Sequence, residues 1–366
     1  MRVVLSGGGT GGHIYPALAL RKELLKHYPD AEFLYVGTAK GLESRIVPSQ
    51  NIPFKTIHIQ GLKRSFSLEN LKTVTCMLES IRVSKRYLKG FQPDIVIGTG
   101  GYVCAPVLYA AARLGIPTVI HEQNSVAGIT NKFLSRYVDK ICICYEEVKE
   151  SFSKKAQRKI VFTGNPRAQE VAERTEKADL TEFGLRNDRP TLLIFGGSRG
   201  AQRINQVVEE MLPELKDQPY QTLIATGEIY YKELMTRYPD IQQMDKVKVV
   251  SYIHNMPSLL RKVDLVVCRS GATTLTELTA VGTPSILIPS PNVTNNHQQH
   301  NAESLAKRDA AIMILEENLS AHRLLTTIDD LMSNPGKCIE MSHQSKKMGV
   351  PDASDRIISV IEKLIK

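Results

Sequence analysis

The stretch DLVVCRSGATTLTELTAVGTPSILIPSPNVTNNHQQHN, residues 264–301, decides the fold of this chain. An apolar run at 264–268 meets a Ser-Gly turn at 270–271, a helical pattern follows over 273–280, and a second apolar run occupies 284–288. This order predicts a parallel β-α-β unit. Because such units bind ligands at the carboxyl ends of their strands, the turn and the loop after the second run should share one crevice.

The loop after the second apolar run is rich in neutral hydrogen-bonding side chains. They are Asn292, Asn295, Asn296, His297, Gln298, Gln299, His300 and Asn301. Amide groups in such number suit a polyhydroxylated ligand such as a sugar, which offers many donors and acceptors at once. The alternative is a solvated, turn-rich loop.

Strand-like runs alternate with helical patterns along the whole chain, which is typical of α/β domains with parallel sheets. At 366 residues the chain is too long for one typical core, so we expect two domains. Both halves begin with a strand that runs into glycines, VVLSGGGTGGH at 3–13 and LLIFGGSRGAQ at 192–202. We therefore predict two Rossmann-like, doubly wound domains that face each other across a cleft.

The predicted N-terminal domain covers residues 1–165, and the predicted C-terminal domain covers 166–349. Charged, weakly patterned residues at 167–190 form the candidate linker. An amphipathic helical pattern at 350–366 has isoleucines along one face, so we expect this helix to pack back on the first domain.

The charge balance favours anionic partners. Lysine and arginine number 47 against 38 aspartate and glutamate residues, which gives a net charge of +9 and suits nucleotide phosphates or an acidic membrane face. No aromatic-rich basic motif or nucleic-acid module occurs in the sequence, so we expect no nucleic acid partner. A helical pattern over 68–89 carries Arg82, Lys85, Arg86 and Lys89 on one side. It predicts a surface for anionic lipid, with a solvated basic face as the alternative.

The sequence contains no apolar run near the roughly 20 residues that a membrane span needs, and Met1 leads directly into a strand without a signal pattern. We therefore expect a cytoplasmic protein. The six cysteines lack CxxC or zinc spacing, which indicates reduced thiols. Since no Asp-x-Asp or His-Glu-x-x-His element occurs, we expect no catalytic metal.

Residues 7–13, Gly-Gly-Gly-Thr-Gly-Gly-His, follow a strand and open a helix. Glycines let backbone N–H groups approach a ligand, and a helix N-terminus favours negative charge, so we expect an anion site here. The second strand ends at 36–38 without the acid that a dinucleotide fingerprint requires, which argues against a nicotinamide cofactor. His13 at the helix start is expected to stay neutral and to accept a proton; a histidine that only bonds the loop is the alternative.

Two further polar turns follow predicted strands. The sequence Gly-Gly-Ser-Arg-Gly at 196–200 predicts a second anion site in which Ser198 adds a hydroxyl donor, with a tight turn as the alternative. His121, Glu122, Gln123 and Asn124 close another strand at its carboxyl end. We expect these side chains to face the cleft from the first domain, unless they only cap the next helix.

The chain resembles the bacterial peptidoglycan glycosyltransferases of glycosyltransferase family 28 on five motifs that occur in the same order. They are GGGTGGHIYPALAL, HEQNSVAGITNK, GNPR, GGSRGAQRIN and CRSGATTLTEL with HQQHNA. The resemblance covers nearly the whole chain and implies a GT-B fold. It implies inverting transfer of N-acetylglucosamine from UDP-N-acetylglucosamine to the 4-hydroxyl of the muramoyl sugar of lipid I, a diphospho-undecaprenol lipid, which yields lipid II. It also implies a peripheral enzyme at the cytoplasmic face of the cell membrane, with no cofactor, no metal, and other wall-synthesis proteins as partners.

The resemblance also assigns roles to individual residues. The base is inferred from position alone: His13 is the expected base, with His121 or Glu122 in reserve. The donor-binding residues are Thr10, Gly11 and Gly12 for phosphates, Asn124, Gln298 and Asn301 for sugar hydroxyls, Ser198 for the diphosphate, Tyr252 and Ile253 for uracil, Glu277 for the ribose hydroxyls, and Arg167. Arg167 follows Pro166 directly, whereas the family often has its diphosphate-binding arginine two residues after the proline.

Two other interpretations stay open. A different GT-B enzyme that uses a UDP-sugar, such as a diacylglycerol glycosyltransferase or a UDP-N-acetylglucosamine 2-epimerase, would share the fold. A catalytically silent subunit that binds a nucleotide sugar would keep the fold without turnover. The presence of His13, Glu277 and Gln298 argues against the silent subunit.

Overall fold

The structure is a computed structural model that describes residues 1–59, 69–197 and 200–366. Side chains at 69–74 lie outside this description. In the part of the chain that it covers, no helix is long and apolar enough to cross a membrane.

Contacts divide the chain into two compact units. The first consists of Met1–Gln169 and Asp352–Lys366, and the second of Glu170–Pro351. The change at 169/170 lies four residues beyond the predicted boundary at 165/166, and the C-terminal segment belongs to the first unit.

Seven parallel strands form the sheet of the first unit. They are β1 (Arg2–Ser6), β2 (Glu32–Gly37), β3 (Phe54–Thr56), β4 (Ile95–Gly98), β5 (Thr118–Glu122), β6 (Lys140–Ile143) and β7 (Ile160–Phe162). Their order across the sheet is β3-β2-β1-β4-β5-β6-β7. The apolar runs at 3–5 and 95–97 are fully buried, as expected for parallel strands that are covered on both faces.

Helices cover both faces of this sheet. They are α1 (Gly11–His27), α2 (Glu43–Ile46), α3 (Glu69–Phe91), α4 (Cys104–Arg113), α5 (Ile129–Leu134) and α6 (Lys154–Gln157). The next helix, α7 (Pro166–Glu173), begins in the first unit and ends in the second. Side chains alternate between the faces of a strand, so Val4 and Leu5 point to opposite sides. Val4 packs in a cluster with Val107 of α4, and Leu5 packs in a cluster with Ile14 of α1.

The second unit repeats the architecture with six parallel strands. They are β8 (Thr191–Phe195), β9 (Gln221–Ala225), β10 (Val247–Val250), β11 (Leu265–Cys268), β12 (Ser285–Leu287) and β13 (Ile312–Met313), in the order β10-β9-β8-β11-β12-β13. The helices are α8 (Gln202–Leu215), α9 (Glu228–Arg237), α10 (Met256–Leu260), α11 (Ala272–Val281), α12 (His297–Ala306), α13 (Ala321–Met332) and α14 (Pro335–Met348). The stretch 264–301 thus supplies β11, α11, β12 and the start of α12.

The last helix, α15 (Ala353–Ile365), packs on the first unit. Ile357, Ile358 and Ile361 are buried in the same apolar cluster as Ile14 of α1. Polar contacts add to this packing, since the Tyr28 hydroxyl donates to Glu362 Oε1 at 2.6 Å.

Each sheet reverses its strand order once, between β1 and β4 in the first unit and between β8 and β11 in the second. In doubly wound folds the ligand binds at this point, beyond the carboxyl ends of the strands. The predicted pair of doubly wound parallel sheets is confirmed, and the loops after β1, β4, β8 and β11 are the candidate binding loops.

Candidate active site

The loop between β1 and α1 is held by two of its own backbone amides. Gly8 N donates to Gly100 O at 3.2 Å, which joins this loop to the loop after β4. Gly9 N donates to Glu43 Oε2 at 3.0 Å. Both amides are therefore engaged within the protein, and an anion bound here must use other donors.

The first turn of α1 carries the predicted phosphate-binding residues. Thr10 is the exposed N-cap, and Gly11 and Gly12 are the first two residues of the helix. Their N–H groups precede the first intrahelical bonds and are the natural anion donors. A Cβ at Gly11 would lie 2.9 Å from the Tyr15 ring, and Arg167 Cζ lies 5.8 Å from the centroid of that ring. The Arg167 guanidinium is thus placed close to this turn.

His13 is the third residue of α1, and its half-buried ring is oriented by backbone groups. Nδ1 lies 2.8 Å from Gly8 O. Because a carbonyl oxygen only accepts, Nδ1 carries a proton, and in the neutral ring Nε2 carries the lone pair. Gly100 lies against the ring, since a Cβ there would be 2.6 Å from His13 Cδ2. This tautomer has the form of a base that acts through Nε2.

His121, at the end of β5, is almost fully buried and bonded at both ring nitrogens. Nε2 lies 2.9 Å from Gly164 O and donates to it, and Nδ1 accepts from Gln123 Nε2 at 2.9 Å. Burial lowers the pKa of His121, so its ring is neutral at pH 7. Both nitrogens serve internal bonds, and this geometry does not favour His121 as a base.

Glu122 anchors the loop that leads into α5. Its Oε1 accepts from Asn124 N at 3.1 Å and from Asn124 Nδ2 at 3.2 Å. Its Oε2 accepts from Gly128 N at 2.9 Å and from Asn131 Nδ2 at 2.8 Å. The buried carboxylate therefore binds the residue that precedes α5 and a side chain within α5, and it fixes the position of Asn124.

The loop after β8 needs glycine at its two ends. A Cβ at Gly196 would lie 2.3 Å from Ala201 N, and one at Gly200, whose φ is +75°, would lie 2.0 Å from Thr226 O. Such close approach is open only to glycine. The predicted diphosphate contact of Ser198 lies outside the described residues.

The loops after β11 and β12 meet as predicted from the stretch 264–301. Ser270 Oγ donates to Gln298 O at 2.7 Å, and Gln298 Oε1 accepts from Ser290 N at 2.9 Å. Asn301 is fully buried, and its Nδ2 donates to Ser270 O at 3.3 Å. The structure therefore brings Gln298 and Ser270 together at the sheet edge and places Asn301 behind them as a support.

Two of the predicted nucleoside contacts, Tyr252 and Ile253, lie beyond the carboxyl end of β10 in the second sheet. Tyr252 follows β10, is 41% exposed, and packs edge-on against His254 with ring centroids 5.1 Å apart. Ile253 beside it is buried. Glu277 lies in α11 and is 9% exposed, which leaves part of its side chain at the surface.

Glu43 is a residue that the sequence analysis missed. It begins α2, five residues after Thr38, and its carboxylate accepts from Thr38 N at 3.0 Å and Thr38 Oγ1 at 2.6 Å as well as from Gly9. A dinucleotide fingerprint has its acid at the end of the second strand, and Glu43 lies five residues beyond Thr38, where that strand was predicted to end. The signal was a glutamate in a Thr-x-x-Gly-x-Glu turn that follows a buried strand.

Arg269, directly before the Ser-Gly turn, holds the end of β12 and the segment after β13. Nη1 donates to Ile288 O and Pro289 O at 3.1 Å each, and Nη2 forms an ion pair with Glu316. The planar guanidinium supplies donors in fixed directions, which suits several acceptors at once.

Glu23, His27 and Asp355 place ligand atoms of the kind that bind metals close together. His27 Nε2 lies 3.3 Å from Asp355 Oδ1 and 3.7 Å from Glu23 Oε1, and Lys26 pairs with Glu23 at 2.8 Å. This cluster lies at the C-terminal end of α1. At about 1.5 Å of rise per residue, it is roughly 20 Å from the glycine turn at the other end, so it is not part of the candidate active site.

Family models match both halves of the chain. The model described as glycosyltransferase family 28 N-terminal domain matches residues 3–143, and the one described as glycosyltransferase family 28 C-terminal domain matches residues 191–357. Among solved structures, the crystal structure of Acinetobacter baumannii MurG superposes with a TM-score of 0.76 at 30% identity and covers 99% of each chain. The crystal structure of a putative UDP-N-acetylglucosamine 2-epimerase from Listeria monocytogenes superposes with a TM-score of 0.72 at 15% identity. At this identity the likeness shows the shared fold alone.

Curated relatives match over their full length. The chain is 52% identical over 366 residues to an enzyme of Bacillus subtilis and 53% identical to one of Listeria monocytogenes, with all of each chain covered. Both relatives are named UDP-N-acetylglucosamine–N-acetylmuramyl-(pentapeptide) pyrophosphoryl-undecaprenol N-acetylglucosamine transferase. The resemblance inferred from the five motifs is confirmed, and the chain belongs to glycosyltransferase family 28.

Proposed function

We propose that this chain transfers N-acetylglucosamine from UDP-N-acetylglucosamine to the 4-hydroxyl of the muramoyl sugar of lipid I, with inversion, to give lipid II. The observation that carries the proposal is the identity of 52% over the full length to a relative named for this transfer. The orientation of His13 supplies a base of the right form in the first unit.

The chemistry follows from the His13 tautomer. Nε2 accepts the proton of the acceptor hydroxyl as the hydroxyl oxygen attacks the anomeric carbon, and the bond from that carbon to the UDP oxygen breaks on the opposite face. UDP leaves with the electron pair. The proton rests on His13, whose Nδ1–H remains bonded to Gly8 O throughout.

The second unit holds the donor in this proposal. Tyr252 and Ile253 contact uracil, Glu277 accepts from the ribose hydroxyls, and Gln298 contacts the sugar. The loop after β8 and the helix that follows it stabilise the charge that develops on UDP. We infer that these donors suffice without a metal ion, so that activity persists in the presence of a chelator.

We also propose that the enzyme works peripherally at an anionic membrane face. Arg82, Arg86 and Lys89 of α3 are exposed, and Leu78 on the same helix is 64% exposed. Basic residues beside an exposed apolar side chain suit a surface of anionic lipid. Residue 68, the first of the predicted helical pattern, lies outside the described residues. Sedimentation with vesicles of anionic and of zwitterionic lipid tests this: we expect binding to the anionic vesicles that weakens as salt is raised, and equal binding to both would contradict it.

The decisive assay supplies labelled UDP-N-acetylglucosamine and a short-chain lipid I analogue together with a chelator. We expect a labelled disaccharide lipid. Turnover of the donor without any acceptor would favour an epimerase. In a parallel reaction with diacylglycerol in place of the lipid I analogue, labelling of diacylglycerol would favour a glycolipid synthase. Tight UDP binding without turnover would favour the silent subunit.

A further inference from the structure

Glu43 is a fully buried carboxylate that is bonded to neutral donors. It accepts from Thr38 N, Thr38 Oγ1 and Gly9 N at 3.0, 2.6 and 3.0 Å. Burying a charge is costly unless hydrogen bonds compensate, and a neutral side chain would suffice to close a turn. The buried charge of Glu43 therefore indicates a role beyond closing the turn.

Glycines on two loops surround this carboxylate. A Cβ at Gly8 would lie 2.5 Å from Glu43 Oε1, and one at Gly41 would lie 2.1 Å from Oε2. Either distance is shorter than a side chain tolerates. The two loops therefore leave room for the carboxylate only because neither residue has a side chain.

The bond from Glu43 reaches His13 through a single peptide group. The Gly9 N–H that donates to Glu43 and the Gly8 C=O that accepts from His13 Nδ1, at 3.0 and 2.8 Å, belong to the same peptide bond. A negative charge at the N–H end polarises that peptide and makes its carbonyl oxygen a stronger acceptor, since hydrogen bonds in a chain strengthen one another. The carboxylate, the peptide and the imidazole thus form one continuous chain of hydrogen bonds.

We propose that Glu43 is a positioning residue that acts through the Gly8–Gly9 peptide to hold His13 in the Nδ1–H tautomer and to raise the proton affinity of its Nε2. This proposal rests on the proposed function for its catalytic consequence, because His13 is the base in that function. The predicted tautomer of His13 can be tested without reference to the reaction.

The titratable groups around this chain of hydrogen bonds are compatible with the proposal. Burial raises the pKa of Glu43, but hydrogen bonds from the Thr38 side chain and from the Gly9 and Thr38 amides outweigh it and lower the pKa overall, so Glu43 stays ionised near neutral pH. Burial also raises the pKa of the neighbouring Tyr35 and Cys104, the thiol to about 12, so both stay neutral. Arg167, over Tyr15, is a fixed positive charge.

The test combines a spectroscopic and a kinetic measurement on Glu43→Gln. Long-range ¹H–¹⁵N spectra of the labelled full-length protein show which nitrogen of each imidazole is protonated, and His13→Gln identifies the His13 signals. We expect the Nδ1–H form in the wild type. In Glu43→Gln we expect a mixture of His13 tautomers. The titration midpoint of His13 and the acid limb of the pH profile of kcat should both move to lower pH. We also expect kcat to be roughly tenfold lower, which is part of the 10²–10⁴-fold that general base catalysis contributes. KM for UDP-N-acetylglucosamine should change little.

Asp139→Asn is the matched control. Asp139 accepts from Thr118 N at 2.8 Å and from Thr118 Oγ1 at 2.7 Å, the same arrangement as Glu43 with Thr38, but no bond leads from it to His13. We expect this variant to leave the acid limb and the His13 tautomer unchanged.

Either of two results would overturn the proposal: an Nε2–H tautomer of His13 in the wild type, or a Glu43→Gln variant with the tautomer and acid limb of the wild type. If Glu43→Gln does not fold, the wild-type spectrum still decides, together with Glu43→Asp, which keeps the charge and should keep the acid limb. If the wild type transfers no sugar, the proposed function fails, while the spectra still decide the role of Glu43.

Discussion

Arg269 and Glu316 form an ion pair that joins the end of β11 to the segment after β13, with 13% and 19% of their side chains exposed. The same guanidinium holds the carbonyls of Ile288 and Pro289 at the end of β12. One side chain thus fixes the start of the loop that ends in Gln298. The second unit therefore contributes an ordered loop to the proposed donor site, and the bonds of Arg269 hold that loop in place.

We expect Arg269→Lys to destabilise the second unit and to raise KM for UDP-N-acetylglucosamine, with a smaller effect on kcat. Lysine keeps the charge but not the planar set of donors, and loss of a hydrogen bond to a charged group costs about 1.5–3 kcal/mol. Urea unfolding and steady-state kinetics measure both effects. Arg189→Lys is the control, because Arg189 pairs with Asp245, which is 78% exposed, and such surface pairs contribute about 1 kcal/mol or less. Equal effects of the two variants would contradict the role of Arg269.

We expect His13→Ala to lower kcat by about 10²–10⁴-fold, the usual contribution of a general base. KM for the donor should stay nearly constant, because the base acts on the acceptor hydroxyl. His322→Ala removes an exposed histidine of α13 and serves as control. A near-normal kcat in a folded His13→Ala protein would remove His13 from the mechanism.

His121 should affect stability and its pH dependence more than turnover. Burial lowers its pKa in the folded state, whereas the unfolded chain protonates near the ordinary value of about 6.5. Below that pH the unfolded state binds a proton that the folded state does not, so the free energy of unfolding falls as pH decreases, by up to about 1.4 kcal/mol per pH unit, until the folded pKa is reached. Urea unfolding above and below this pH should show a smaller loss in His121→Gln than in the wild type. Equal losses in the two proteins would show that His121 is not the group responsible.

The sequence predicted the fold well where local patterns decide the structure. The stretch 264–301 forms the predicted β-α-β unit because apolar runs and a Ser-Gly turn determine strand and helix locally. The terminal helix packs on the first unit because its isoleucine face has to be buried. Because loops at the carboxyl ends of parallel strands lie close together, the sequence also placed Ser270 and Gln298 at the same edge of the second sheet.

The sequence predicted side-chain roles less well, because they depend on contacts between distant segments. Asn301 belongs to a polar stretch that the sequence indicated to be a loop, yet it is a residue of α12 and is fully buried behind Ser270. His121 and Glu122 closed a strand as expected, but their bonds turn inward to Gly164 and Asn131. The Thr-x-x-Gly-x-Glu turn marked Glu43 as a residue of interest, but its bond to the glycine loop, 34 residues earlier in the chain, depends on the tertiary structure.

The role of Glu277 can be tested with UDP and 2′-deoxy-UDP. Glu277 is 9% exposed in α11, and a ribose hydroxyl that donates to its carboxylate makes a charge-assisted bond. Such a bond contributes about 1.5–3 kcal/mol, so the wild type should bind UDP roughly ten- to a hundredfold more tightly than 2′-deoxy-UDP in calorimetry.

In Glu277→Ala the preference for UDP over 2′-deoxy-UDP should disappear, because the 2′-hydroxyl that distinguishes the two ligands loses its acceptor. Any bond to the 3′-hydroxyl is lost from both ligands alike. The comparison uses the ratio of the affinities for the two ligands in one protein. A general loss of folding or of loop order lowers both affinities alike and leaves this ratio unchanged. Glu233→Ala, at an exposed position of α9, should keep the wild-type ratio. If Glu277→Ala also kept the ratio, the ribose hydroxyls would have to be read by another residue, and the placement of the nucleoside along α11 would fail with it.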